Sequence, residues 1–319
     1  MKALRFFNNK LTVAEIPQPF ADGECLIRVT RSGICNTDLE IVRGYAGFQG
    51  TIGHEFVGVV ETSPDAPALI GKRVVGEINV GCGRCAVCLA GDSRHCLERT
   101  VLGIKGRDGA HAEFLILPAG NLITVPDDVS DNAAIFAEPL AAAYGISEQV
   151  NLEANTKVAV VGDGKLGILC SICAALLSND VHLIGKHRSK LAIAEKQGVQ
   201  GLLLDDVTTN LNKTFDVIIE ASGSESGFAA ALDLVKPRGK IVLKSTFKGK
   251  PVWESWRVVV DEITIVGSRC GRMAPALKLL QNGQVRVDDL IDEEFSLANG
   301  VKAMECAGQK GALKILLKP

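Results

Sequence analysis

The stretch Val158-Ala-Val-Val-Gly-Asp-Gly-Lys-Leu-Gly167 limits the possible fold more than any other. A short apolar run, Val158 to Val161, meets three glycines spaced G-x-G-x-x-G and passes into the apolar segment Leu166–Leu177. A strand that turns tightly into a helix opens a doubly wound parallel sheet with a dinucleotide at the turn. Gly162 is expected to make the turn and Gly164 to let the backbone approach a pyrophosphate. Lys165 and Leu166 open the helix, and Gly167 lets helix and strand pack closely. The helix N-terminus adds positive dipole for phosphate. Downstream, short apolar runs at 181–184, 202–204, 215–220, 240–243 and 262–266 alternate with helical segments at 189–197 and 225–235. Both the alternation and the continuous apolar strands predict an α/β domain over residues 136–270.

The chain has 319 residues, of which 47% are hydrophobic. That is about twice a usual single domain, so a second domain is expected. Residues 1–135 read as β-rich, with apolar runs around Val57–Val60 and Val74–Ile78 punctuated by Gly and Pro. A net charge of −2 gives no electrostatic case for nucleic acid or an anionic membrane. The apolar stretch at 166–177 is short of the roughly 20 residues a membrane helix needs. The start, Met-Lys-Ala-Leu-Arg-Phe-Phe, has no leader-like apolar segment, so a cytoplasmic protein is expected.

Four of the ten cysteines, Cys82, Cys85, Cys88 and Cys96, crowd into C-x2-C-x2-C-x7-C. Clustered cysteines in such a chain are better read as metal ligands than as disulfides. Four thiolates close a tetrahedral Zn²⁺ completely, which makes the site structural. A second set, Gly33-Ile-Cys-Asn-Thr-Asp38 and Gly53-His-Glu-Phe-Val-Gly58, pairs Cys35 with His54 and Glu55. These donors suit a catalytic zinc, which keeps one position open. Thr37 sits two residues from the thiol, and Asp38 is a candidate acceptor for the second N–H of His54. Cys170 and Cys173 lie on the apolar helix and read as packed thiols.

In this order, the Gly-His-Glu element, the four-cysteine lobe and the glycine-rich turn resemble the zinc-dependent medium-chain dehydrogenase/reductase superfamily. Alcohol, sorbitol, threonine and glucose dehydrogenases belong to it. The resemblance covers essentially the whole chain, which is somewhat shorter than the usual member. It implies a GroES-like catalytic domain that is discontinuous, residues 1–135 and 271–319, beside a Rossmann domain over 136–270. It makes Cys35 and His54 the first two ligands of a catalytic zinc. Ala137-Glu138-Pro-Leu-Ala141 resembles the Glu-Pro element of the sorbitol, glucose and threonine branch, where a carboxylate ligates zinc or holds its water. Glu138 and Glu55 then compete as the third ligand. Two zinc ions per chain and a homo-oligomer, dimer or tetramer, are implied as well.

The implied chemistry is hydride transfer from an alcohol or polyol carbon to a nicotinamide, with zinc lowering the pKa of the alcohol. Thr37 would take the proton and pass it to the nicotinamide ribose. Tyr45 and Phe48 are candidates for the substrate pocket or for simple packing. At the end of the second strand, NAD enzymes carry an acid for the adenosine ribose. Here stand Gly185, Lys186, His187 and Arg188, a set that suits the 2′-phosphate of NADP. Ala221, Ser222 and Gly223 should pass near a ribose. Ser245, Thr246, Ser268 and Arg269 end later strands and should face the nicotinamide. Two alternatives remain open: a reductase of activated double bonds, and a non-catalytic NADPH-binding sensor on the same fold.

Overall fold

The computed structural model describes residues 1–20, 22–207, 209–245 and 254–319. They form two compact units: Met1–Glu138 with Met273–Gln281 and Val287–Pro319, and Pro139–Arg272 with Asn282–Arg286. The division falls inside one helix, Ala137–Tyr144, just after Glu138.

In the second unit six parallel strands stand in the order Gln200–Leu203, Asp180–Gly185, Lys157–Val161, Phe215–Glu220, Val235–Leu243 and Thr264–Gly267. The first strand in sequence lies between the second and the fourth. The strand order reverses there, the place where such sheets hold ligands beyond their carboxyl ends. Helices Lys165–Ala175, Arg188–Glu195 and Glu225–Leu234 supply the covering layers. The strands are apolar on both faces: Val158, Ala159 and Val160 are wholly buried. Helix Lys165–Ala175 is buried continuously from Gly167 to Ala174, which explains its all-round apolar sequence. Ser224 caps the helix Glu225–Leu234 by accepting from the Gly227 N–H at 3.1 Å. The strand predicted at 240–243 begins at Val235, and its pairing shifts register between Val235 and Lys240. Pro237 and Gly239 hide that extension from any apolar pattern.

The first unit is built on a seven-stranded sheet. Its order is Leu122–Thr124, Arg73–Gly76, Glu55–Thr62, Glu24–Gly33, Lys314–Lys318, Ile291–Ser296, with Phe114–Pro118 also paired to Glu24–Gly33. The last strand pairs Leu316 with Gly33 and Leu317 with Ser32, so the chain end lies beside the segment that carries Cys35. One core joins Leu4, Phe6, Ile34, Ile41, Phe48, Ile52, Phe295 and Leu317. Each such side chain contributes about 1.5–3 kcal/mol on burial, and together they fix helix Asn36–Val42 against the terminal segments. That helix, the helix Gly300–Ala307 and the strand Ile291–Ser296 are absent from the sequence reading. The strand Ile-Asp-Glu-Glu-Phe-Ser buries only Phe295 and so shows no apolar alternation.

Candidate metal and dinucleotide sites

Strand Glu24–Gly33 runs directly into Cys35, which precedes helix Asn36–Val42. His54 and Glu55 stand at the start of the neighbouring strand, Glu55–Thr62, in register with Gly33. Pairing of the two strands thus brings together groups that are nineteen or more residues apart. Ligand atoms of Cys35, His54 and Glu55 lie within 4.8 Å of one another. Gly33 is required: a Cβ there would come 2.6 Å from Glu55 Oε2.

Asp38 holds both segments. Its Oδ2 accepts from the Cys35 N–H at 2.8 Å, and its Oδ1 accepts from the Gly53 N–H at 3.2 Å. His54 Nδ1 lies 3.3 Å from Asp38 Oδ1, so Nε2 would be the nitrogen offered to a metal. Burial alone would raise the Asp38 carboxyl, but His54 and His111 outweigh it and keep the group ionised far below the usual range. Burial would lower His54, yet Asp38 and Cys35 outweigh it and push the imidazole up. A metal must displace that proton, so binding here is linked to pH.

Glu55 is buried, with Oε2 paired to the Lys314 ammonium, itself 1% exposed. Its other oxygen, Oε1, is buried without a hydrogen-bond partner among the described residues. An orphaned carboxylate oxygen beside a thiol and an imidazole is what a divalent ion would satisfy, so the donor set fits zinc. Glu138 is half-buried in the first turn of its helix and stands outside this cluster, although its charge helps raise Lys314. Thr37 Oγ1 lies 3.8 Å from Cys35 Sγ and is partly exposed. Phe48 is buried in the core, whereas Tyr45 is 42% exposed in the turn before it.

Cys82, Cys85, Cys88 and Cys96 gather their sulfurs within 4.8 Å. Backbone N–H groups of Arg84 and Cys85 lower Cys82 to about 7, while burial and the neighbouring thiols raise Cys88 to about 11. Four thiols gathered in this way are a donor set that one tetrahedral Zn²⁺ would close.

At the glycine-rich turn, Gly162 adopts φ +114°, and a Cβ at Gly167 would come 1.9 Å from Gly162 O. A Cβ at Gly164 would meet nothing within 4 Å, which leaves open space at the helix N-terminus for a pyrophosphate. Lys165 and Leu166 form the first helical turn, with Gly164 as its cap. The second strand ends at Gly185. Here Asp163 fills the missing side chain's place, because a Cβ on Gly185 would lie 2.4 Å from Asp163 Cβ. Asp163 Oδ2 accepts from the N–H groups of Lys186 and His187, both at 2.7 Å, and faces His187 Nδ1 at 2.9 Å. Those three donors outweigh burial and lower its carboxyl. The Arg188 guanidinium is held by both oxygens of Glu195, at 2.6 and 2.7 Å.

The Ala221 N–H donates to Val161 O at 2.9 Å and Ser222 Oγ to Glu220 Oε1 at 2.5 Å. Ser245 Oγ accepts from the Gly223 N–H at 2.9 Å and donates to Glu220 Oε2 at 2.7 Å. These residues form one polar net around Glu220 next to the turn. Ser268 and Arg269 are tied to Lys244, whose Nζ donates to Ser268 Oγ at 3.3 Å and to Arg269 O at 2.7 Å. Thr246 lies outside the described residues. Burial pushes Cys170 up to about 12 and Cys173 higher still than its ordinary range, as packed thiols require. The sequence reading missed His111, Lys314 and Asp163. Only Asp163 carried a signal, an acid inside the glycine-rich turn.

Among the described residues, no helix is long and apolar enough to cross a membrane. The description "Alcohol dehydrogenase GroES-like domain" matches residues 21–127, and "Zinc-binding dehydrogenase" matches 166–282. Together they span more than half of the chain. The L-threonine 3-dehydrogenase of Shewanella oneidensis is 28% identical over 96% of this chain and 95% of its own. The sorbitol dehydrogenase of Halalkalibacterium halodurans is 27% identical with the same coverage. A zinc-binding dehydrogenase from Sinorhizobium meliloti 1021, bound to NADP, superposes with a TM-score of 0.89 at 26% identity, covering 100% of this chain and 99% of its own. A short chain alcohol dehydrogenase from Escherichia coli CFT073, complexed with NADH, gives 0.90 at 26% identity with the same coverage.

Proposed function

Because the chain belongs to the zinc-dependent medium-chain dehydrogenase/reductase superfamily, we propose that it transfers hydride between an alcohol, polyol or sugar carbon and NADP(H). The convergence of Cys35, His54 and Glu55 within 4.8 Å carries this reading. Cys35 and His54, with Glu55 or Glu138 as third ligand, would hold the catalytic zinc, and the four-cysteine lobe a structural one. When bound, zinc supplies Lewis-acid polarisation of the alcohol oxygen and the nicotinamide supplies the hydride acceptor. Asp38 keeps the His54 ring turned with Nε2 toward the ligand cluster. Thr37 takes the proton released by the substrate hydroxyl and hands it toward the nicotinamide ribose. The turn at Gly162–Gly167 receives the pyrophosphate.

The preference for NADP rests on position 185. The strand itself ends without an acid and Lys186, His187 and Arg188 follow it, which suits a 2′-phosphate, while the Asp163 carboxylate beside Gly185 and the Glu195 clamp on Arg188 work against it. The relatives' names, L-threonine 3-dehydrogenase and sorbitol dehydrogenase, favour the dehydrogenase over a reductase of activated double bonds. Four cysteines clustered at metal-ligand spacing suit a reducing cytoplasm. For a homo-oligomer, the exposed Trp256, Val259 and Val260, just ahead of the edge strand Thr264–Gly267, offer an apolar surface to cover.

The test is steady-state turnover on alcohols, polyols, sugars and hydroxy-amino acids with each oxidised cofactor, together with metal analysis. Turnover on one of these classes with a lower KM for NADP is expected. Two zinc ions per chain are expected, one lost in Cys35→Ser and the other in Cys82→Ser. No turnover across the panel, or a single zinc held by the cysteine lobe, would overturn the reading. A lower KM for NAD would overturn the cofactor preference alone.

A further inference from the structure

We propose that His111 is a positioning residue for the ligand imidazole of His54, acting through Asp38; this rests on the reading of Cys35, His54 and Glu55 as a zinc site. His111 is wholly buried, and so are Ser32 and Asp38. Its backbone is locked on both sides: its N–H donates to Ile52 O at 2.9 Å, and its carbonyl accepts from the Leu4 N–H at 2.7 Å. The ring lies against the residue before His54, because a Cβ on Gly53 would come 2.5 Å from His111 Cγ. The φ of +97° at Gly53 reserves that position for glycine a second time.

The polar contacts form a chain. Ser32 Oγ is 2.8 Å from His111 Nδ1. His111 Nε2 is 3.5 Å from Asp38 Oδ2, and His54 Nδ1 is 3.3 Å from Asp38 Oδ1. His111 Nε2 and His54 Nδ1 are buried and make no hydrogen bond among the described residues, so the Asp38 carboxylate at 3.5 and 3.3 Å is the charge each of them faces. A hydroxyl donating to Nδ1 puts the His111 proton on Nε2, where it faces the carboxylate. Asp38 is then flanked by one imidazole on each oxygen, with the backbone N–H groups of Cys35 and Gly53 beside them. Two opposed imidazoles fix the rotation of the carboxylate. A carboxylate that cannot rotate keeps its Oδ1 aimed at His54 Nδ1, which sets the tautomer and tilt of the ligand ring. Without the Nε2–H of His111, Asp38 keeps its backbone anchors at Cys35 and Gly53 but loses the polar hydrogen facing Oδ2, and the tilt of the carboxylate is held less firmly.

Partners of this kind typically govern metal affinity by about 10- to 100-fold. The test is zinc release from the intact holoenzyme to a chromogenic chelator, with the four-cysteine zinc as an internal control. His111→Phe keeps a ring and removes both nitrogens; His111→Gln restores a donor within reach of Asp38. Phe is expected to speed release from the Cys35–His54 site by about 10- to 100-fold and to leave the cysteine-lobe phase unchanged, with Gln restoring retention. Should His111→Phe fail to fold, Ser32→Ala tests the far end of the chain and is expected to speed the same phase only. Cobalt substituted at the Cys35–His54 site is expected to change its visible spectrum in Phe and to recover it in Gln. Equal acceleration of both phases marks a merely structural residue and overturns the proposal, as does no change in a folded His111→Phe or Ser32→Ala protein. A wild-type chain that releases only the cysteine-lobe zinc overturns the zinc reading itself, and is told apart by that count.

Discussion

Lys314→Met isolates one buried charge. In the wild type the ammonium and Glu55 are each about as deeply buried as the core, and the ammonium also lies 5.6 Å from the centre of the Phe136 ring. An exposed pair would contribute no more than about 1 kcal/mol. Removing one partner of a buried pair leaves the other charge uncompensated and costs about 3–5 kcal/mol. Met matches the length of the stem, so the cavity contribution is small and most of the loss belongs to the stranded Glu55. In zinc-loaded protein the divalent charge near Glu55 replaces part of what Lys314 gave, so the loss should be smaller.

The pH dependence has a definite sign. Burial works against the ammonium, but Glu55, Cys35 and Glu138 outweigh it, so the folded pKa lies above the ordinary 10.5. The stabilisation is complete below 10.5 and fades as pH climbs through the higher folded value. Urea denaturation of metal-free wild type and variant should give a difference of about 3–5 kcal/mol at neutral pH, roughly constant to about pH 10 and shrinking above it. A difference under about 1 kcal/mol would place the pair in effectively solvated surroundings and refute the reasoning. Equal losses with and without zinc would show that Glu55 does not sense the metal.

The three glycines of the turn should separate folding from binding. Gly167→Ala meets backbone at 1.9 Å and is expected to lower thermal stability, whereas Gly164→Ala meets nothing and should fold normally yet lose NADPH binding by tenfold or more, read by fluorescence titration. Normal NADPH affinity in Gly164→Ala would remove the pyrophosphate from that space. Thr37→Ala is expected to lower kcat by about 10²-fold with zinc content intact; an unchanged kcat would take the hydroxyl out of the proton path.

Much of this protein is legible in order along the chain. Spacing alone gives the four-cysteine cluster, because four donors gathered by one loop are a local object. The G-x-G-x-x-G turn is likewise local: Gly162 and Gly167 meet a steric demand, while the space at Gly164 is open. Cys35 and His54 were readable as donor types, yet their meeting depends on the pairing of Glu24–Gly33 with Glu55–Thr62. The sequence was silent where partners come from distant segments. Lys314 reaches Glu55 because the last strand adds to the sheet beside Gly33, and nothing near either residue announces it. His111 looked like any residue of a small turn; only folding placed it behind Asp38. Asp163 was visible as an odd charge, but its use, filling the place of a side chain that Gly185 lacks, required two strand ends side by side. The identity of a donor atom is written in one residue, while its partner is set by which strands pair. The sequence by itself therefore determined the chemical types and both glycine and cysteine frameworks, and tertiary structure alone decided which buried charges meet.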